Sequence, residues 1–197
     1  MTSLTPVPEE VHPLPPFLPA GMRLLMLGAF PPPRARWSME FFYPNFINDM
    51  WRIFGHVFFA DKAHFVAEGA RTFRLDELRR FLTEKRIGCY DTALRVRRLR
   101  GNASDKFLEV AEPADIPALL RAFPTCEALL TTGQKATDTL RTLFDVPEPA
   151  VGEGSTFAFE GRTLTLYRLL SSSRAYPMKL ERKAEAYARV FSVLGML

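Results

Sequence analysis

Residues 23–55 read RLLMLGAFPPPRARWSMEFFYPNFINDMWRIFG, and the rest of the chain arranges itself around them. Leu24 to Leu27 is a continuous apolar run of the length and bounding that a buried strand of a parallel sheet requires. Gly28 permits a sharp turn, and Pro31, Pro32 and Pro33 fix φ and remove N–H donors, so the chain leaves the sheet as a stiff loop rather than a helix. Open α/β sheets place their ligands at that carboxyl end. Next come Phe41, Phe42 and Tyr43, then Asn45 and Asn48, then an amphipathic segment through Trp51, Ile53 and Phe54. Aromatic faces and amides around one mouth suit a flat polar ring.

Further strands follow at the spacing of α/β units. Leu75, Leu78, Phe81 and Leu82 recur at helical spacing, opposite Arg79, Arg80 and Glu84, and predict an amphipathic helix over 75–86. Ile87 to Tyr90 reads as a second strand with Asp91 and Thr92 at its end, and the very basic segment Arg95 to Lys106 reads as a loop able to contact phosphates through Arg98 and Arg100. A helix over 113–123 has Asp115 as N-cap and tolerates Pro117 in its first turn. Ala128 to Thr132 is a third buried strand, with Gly133 opening a helix whose first-turn N–H groups would face the same edge. Thr156 to Glu160 forms a hairpin into the last strand, Leu164 to Leu170, and a final helix carries Leu180, Ala184, Tyr187, Phe191 and Leu194 on one face. Strands joined by helices predict an α/β fold, three-layer α/β/α, with a central, mainly parallel four-stranded sheet.

At 197 residues the chain is long enough for one domain with a sizeable core. Pro6, Pro8, Pro13, Pro15, Pro16 and Pro19 exclude helix or central strand in residues 1–22, which read as a proline-rich arm preceding a single domain over 23–197. Cys89 and Cys126 are isolated, so neither a disulfide framework nor a cysteine metal or iron–sulfur site is expected. His12, His56 and His64 show no ligand spacing and read as ordinary surface or core residues. No metal or organic cofactor is called for. With no apolar run long enough to span a bilayer and no signal region, a cytoplasmic monomer without membrane contact is the expectation. The formal net charge is only +4. It is unevenly spread: residues 71–106 hold eleven Lys and Arg against five acids, and 107–160 hold three against nine. Basic clustering of this kind is the footprint of a phosphate backbone.

The order strand, Gly-x-x-Pro turn, aromatic residue, Asn-x-x-Trp helix resembles the first motif of the uracil-DNA glycosylase superfamily, nearest its mismatch-specific and hypoxanthine-DNA glycosylase branches. The resemblance continues through IGCYDTALRVRRLRGNASD (87–105), ALLTTGQKA (128–136) and LLSSSRAYPMKLERKAEAYARVF (169–191), in the family's order and over about three quarters of the chain. It implies a metal-independent hydrolase that flips a deaminated or mismatched base, uracil or hypoxanthine, out of double-stranded DNA and breaks its N-glycosidic bond. Flipping costs a few kcal/mol and is cheapest at mismatches.

The resemblance assigns roles residue by residue. Tyr43, or Phe42 beside it, would stack on the extruded ring, for about 1–3 kcal/mol. Gly28, Ala29 and Phe30 form the turn whose N–H groups would meet a base carbonyl. Thr132 stands where many relatives read the base edge with Asn. Ser171, Ser172, Ser173, Arg174 and Tyr176 match the loop that enters the minor groove. Phe30 occupies the position where most branches carry the Asn or Asp that positions water, and the hypoxanthine branch instead relies on an Asn matching Asn48. An amide orients water but cannot take its proton. Three local alternatives stand beside these roles: Asn48 as a helix cap, Asp91 as a turn cap, and the serines as caps of the last helix. Two other functions also fit the sequence: a catalytically silent DNA-binding member of the same fold, and an α/β enzyme of free nucleotides.

Overall fold

A computed structural model describes residues 7–102 and 104–197. Its strands are β1 (Glu9–Val11), β2 (Leu24–Gly28), β3 (Ile87–Asp91), β4 (Ala93–Arg98), β5 (Leu108–Pro113), β6 (Ala128–Thr132), β7 (Gly154–Phe159) and β8 (Arg162–Leu169). Its helices are α1 (Met50–Phe59), α2 (Leu75–Glu84), α3 (Ile116–Ala122), α4 (Gln134–Arg141) and α5 (Leu180–Val193).

The central sheet runs β3-β2-β6-β8-β7. Its first four strands are parallel and β7 adds an antiparallel edge through the hairpin to β8. The expected mainly parallel sheet, flanked by helices, is therefore present, but with five strands rather than four, because the hairpin places β7 in the same sheet as β8. All five residues in each of β2, β3 and β6 are buried, as strands covered on both faces must be. Phe54 of α1 meets Phe191 of α5 edge-on at 5.3 Å, and Trp51, fully buried, donates its indole N–H to the Phe42 carbonyl at 3.1 Å. Asp115 caps α3 as the sequence requires, its carboxylate accepting from the Ala118 N–H at 3.0 Å.

The basic segment read as a loop is different. Arg95 to Arg98 lie entirely in β4, the middle strand of a second, antiparallel sheet ordered β1-β4-β5. Its arginines are matched by acids on the neighbouring strands: Arg95 with Glu112 at 2.8 Å, Arg97 with Glu9 and Glu109, and Arg98 with Glu10 at 2.9 Å. Cross-strand charge pairing of this type is invisible to a local reading because the partners lie far apart in sequence.

Residues 1–6 of the proline-rich segment lie outside the described residues. From Val7 onward the segment supplies β1 and then lies along the open edge of the central sheet. Phe17 exchanges two backbone hydrogen bonds with Cys89 of β3, each of 2.9 Å, which covers that edge. Gly88 allows the approach: a Cβ there would lie 2.2 Å from Met22 Sδ and 3.1 Å from the Phe17 carbonyl oxygen. Gly88→Ala is expected to destabilise the fold by about 1–3 kcal/mol, the range for overpacking a tight site. Equilibrium urea unfolding measures it, and an unchanged midpoint would contradict this packing.

Candidate active site

Parallel register brings the strand ends into line. Gly28 pairs with Asp91 and Thr132 with Leu169, so the turn after β2, the end of β3, the end of β6 and the serine loop after β8 meet at one carboxyl edge. They enclose a cavity of about 640 Å³ whose walls include Gly28, Ala29, Phe30, Tyr43, Asn48, Asp91, Thr132, the Ser171–Ser173 run and Tyr176. Segments separated by more than a hundred residues thus share one mouth, and the volume is in the range of small-molecule sites.

The turn after β2 is fastened to β3. The Gly28 carbonyl accepts from the Thr92 N–H at 2.8 Å and the Ala29 carbonyl from the Ala93 N–H at 3.2 Å. Tyr43 packs against this turn, its hydroxyl 3.5 Å from where a Cβ on Gly28 would lie, and has a left-handed backbone, φ 49°. For a non-glycine residue that conformation costs on the order of 1 kcal/mol and has to be held by its surroundings. Two contacts hold it: its hydroxyl hydrogen-bonds Thr132 Oγ1 at 2.9 Å, and its ring meets Trp51 edge-on at 5.7 Å. Burial, and then the nearby Asp91 charge, push the Tyr43 hydroxyl well above the ordinary tyrosine range, so it stays a hydrogen-bonding O–H. Phe30 is braced from behind by the edge of His12 at 5.3 Å and by the Arg98 guanidinium 5.5 Å from its ring centre.

Asn48 Oδ1 accepts from the Met50 N–H at 2.8 Å, an Asx turn that opens α1, while the residue also lines the cavity. One residue further on, the Asp49 N–H donates to the Ser172 carbonyl at 3.0 Å. The Asp49 carboxylate takes Lys183 of α5 at 3.3 Å and Arg174 at 2.8 Å. Lys183 is fully buried and also donates to the Ser173 carbonyl at 2.8 Å. These contacts pin the loop after β8 to the start of α1. The serines brace the loop itself: Ser171 Oγ accepts from the Ser173 N–H and Ser173 Oγ from the Ala175 N–H, both at 3.2 Å. They do not cap α5, whose N-cap position is Lys179.

Several residues picked out in the sequence stand elsewhere. Phe42 is buried behind the wall, its ring stacked 6.2 Å from that of His12. Arg98 is turned inward to Glu10 and to the Pro31 carbonyl, and Arg100 lies over Phe107 at 4.0 Å. Arg174 faces a neighbouring cavity of about 600 Å³ shared with Arg52 and Lys62. The first turn of α4 is not part of the wall; the Gln134 side chain goes to Asp138 and Glu148. Arg36 and Lys106 are the cations on the wall among the described residues. What the sequence missed is His12. Its side chain is completely buried and its Nε2 lies 2.8 Å from Asp91 Oδ2. A lone histidine in a proline-rich stretch gives no local signal of this contact.

The described residues form an α/β/α fold with a cavity at the carboxyl edge of its mainly parallel sheet. The chain is similar in fold to the solution NMR structure of a "putative Uracil DNA glycosylase" from Methanosarcina acetivorans, with a TM-score of 0.60 and 22% sequence identity over 90% of this chain and 96% of that one. No family model and no curated protein matches the sequence. No helix among the described residues is long and apolar enough to cross a membrane.

Two outcomes follow from the buried groups. Asp49→Ala strands the Lys183 ammonium in the interior and is expected to cost about 3–5 kcal/mol, whereas Asp49→Ala with Lys183→Met recovers much of it. Chemical denaturation of the single and double variants reads the coupling, and additive losses would contradict it. Tyr43 and Tyr187 are both raised by burial. Their contribution is complete below the unfolded tyrosine value of about 10 and is lost as pH rises above it, because only the unfolded chain then releases the proton. Unfolding midpoints between pH 8 and 11 should fall with pH, less steeply in Tyr43→Phe and Tyr187→Phe.

Proposed function

We propose that the chain is a DNA glycosylase: a hydrolase that takes a deaminated or mismatched base, uracil or hypoxanthine, out of double-stranded DNA and cleaves its N-glycosidic bond. The observation that carries the reading is the convergence of the Gly28 turn, Tyr43, Asn48, Thr132 and the serine loop on one cavity at the carboxyl edge of the sheet. A cavity of this kind receives a single flat base, and the elements around it suit the task. Phe30 and Tyr43 supply aromatic surface for the extruded ring, and Asn48 supplies an amide for the base or water. The serine loop ends in a half-exposed Tyr176, a side chain of the kind that wedges into a base step. Arg36 and Lys106 on one side of that loop and Arg52, Lys62 and Arg174 on the other are cations for the flanking phosphates. The fold likeness to the Methanosarcina protein supports the same activity, and 22% identity leaves the preferred base to experiment.

Duplexes carrying one uracil, hypoxanthine or thymine opposite each normal base, incubated with the protein and then treated with alkali, test the proposal. Strand breaks at uracil or hypoxanthine are expected, with release at least about 10-fold slower in Asn48→Ala. Tight duplex binding with no break at any base would leave a catalytically silent binder instead.

A further inference from the structure

The hydrolysis needs a group that Asn48 cannot supply. Water that attacks the sugar must lose a proton, and a carboxamide does not accept one. Among the described residues that line the cavity, the carboxylates are Asp91 and Asp105. Asp105 lies in an exposed turn at the rim. Asp91 is at the end of β3, 7% exposed, in register with Gly28 on the neighbouring strand.

The Asp91 carboxylate is held from two sides. Oδ2 is 2.8 Å from His12 Nε2. Oδ1 lies over Gly28, so close that a Cβ on residue 28 would sit 2.4 Å from it. On the other side of the imidazole, Nδ1 is 2.9 Å from the Leu14 carbonyl oxygen and 3.2 Å from the Leu14 nitrogen. With Nδ1 accepting from that N–H, the neutral imidazole carries its hydrogen on Nε2, directed at Asp91. His12 is wedged between Phe30, Tyr90 and Phe42, so the ring cannot swing away. Asp91's charge also reaches the Tyr43 hydroxyl, which lies over the same glycine, and is the second cause of that group's upward shift. An oriented carboxylate with one oxygen toward a cavity is an acceptor for a proton and a counter-charge for a cation.

We infer that Asp91 is the catalytic carboxylate of this cavity, taking the proton of the attacking water, and that His12 is its positioning residue. The inference rests on the glycosylase reading above. In the step, the C1′–N bond breaks with its electron pair leaving on the base, and the water oxygen forms a bond to C1′. One water proton passes to Asp91 and from there, through solvent, to the departing base nitrogen, which restores the carboxylate. The negative charge at Asp91 stabilises the positive charge that develops on the sugar. Gly28 is glycine because the acid occupies the space of a side chain there.

The test is single-turnover base release from a uracil or hypoxanthine duplex, read beside the affinity for a duplex carrying one 2′-fluoro-2′-deoxyuridine. Asp91→Asn is expected to slow release at least about 100-fold with affinity changed less than about threefold. His12→Ala should slow it about 10-fold, and His12→Gln, whose amide reproduces the Nε2 donor, should restore most of the rate. A merely structural histidine would not give that rescue. If Asp91→Asn does not fold, Gly28→Ala displaces the carboxylate without removing it and should slow release while affinity persists. Release by Asp91→Asn or Gly28→Ala at the unaltered rate overturns this inference and leaves the glycosylase reading standing. Absence of release from the unaltered protein on every duplex overturns both.

Discussion

Parallel, in-register pairing of β3, β2, β6 and β8 is the constraint on which the rest of the molecule depends. In a parallel sheet every strand points the same way, so the loops that follow the strands collect along one edge. Gly28 opposite Asp91 and Thr132 opposite Leu169 put the turn, the acid, the hydroxyl and the serine loop within reach of one another. A shift of one residue would turn alternate side chains to the opposite face and dissolve the cavity. The apolar content of the three fully buried strands is what makes that register costly to leave.

Two buried polar contacts then tie down segments the sheet cannot reach. Asp49 joins the start of α1 to α5 and to the loop after β8, through Lys183, Arg174 and the Ser172 carbonyl. His12 joins the amino-terminal segment to the end of β3. Removing water from such groups is expensive, and a buried pair is weak evidence for stability taken by itself. Both pairs lie beside the cavity, where they hold the loop and the acid in place. That is a better account of their presence than any stability they add.

The sequence was most legible where a signal is local. Leu24 to Leu27, Ile87 to Tyr90 and Ala128 to Thr132 read as buried strands because each is a short run with no charged residue, and Asp115 read as a cap because capping is decided within one turn. Legibility failed where a partner is remote. β4 looks like a basic loop until Glu9, Glu10, Glu109 and Glu112 are brought beside its arginines. Arg98, singled out as a phosphate contact, is turned inward by one of those acids. Phe42 and Tyr43 are adjacent and aromatic, and nothing local says that the first packs behind the wall and the second lines it. The left-handed turn at Tyr43 makes that division.

By itself, then, the amino-acid order determined the alternation of strands and helices, the stiff proline exit after β2 and the amide before α1. Each follows from side-chain shape, backbone freedom and apolar periodicity over a few residues. Only the tertiary structure decided that His12 meets Asp91 and that the β4 arginines are spoken for. It also decided that Asn48 both opens a helix and faces the cavity. Those facts depend on which distant groups are brought within about 3 Å when the chain closes, and no local pattern carries that information.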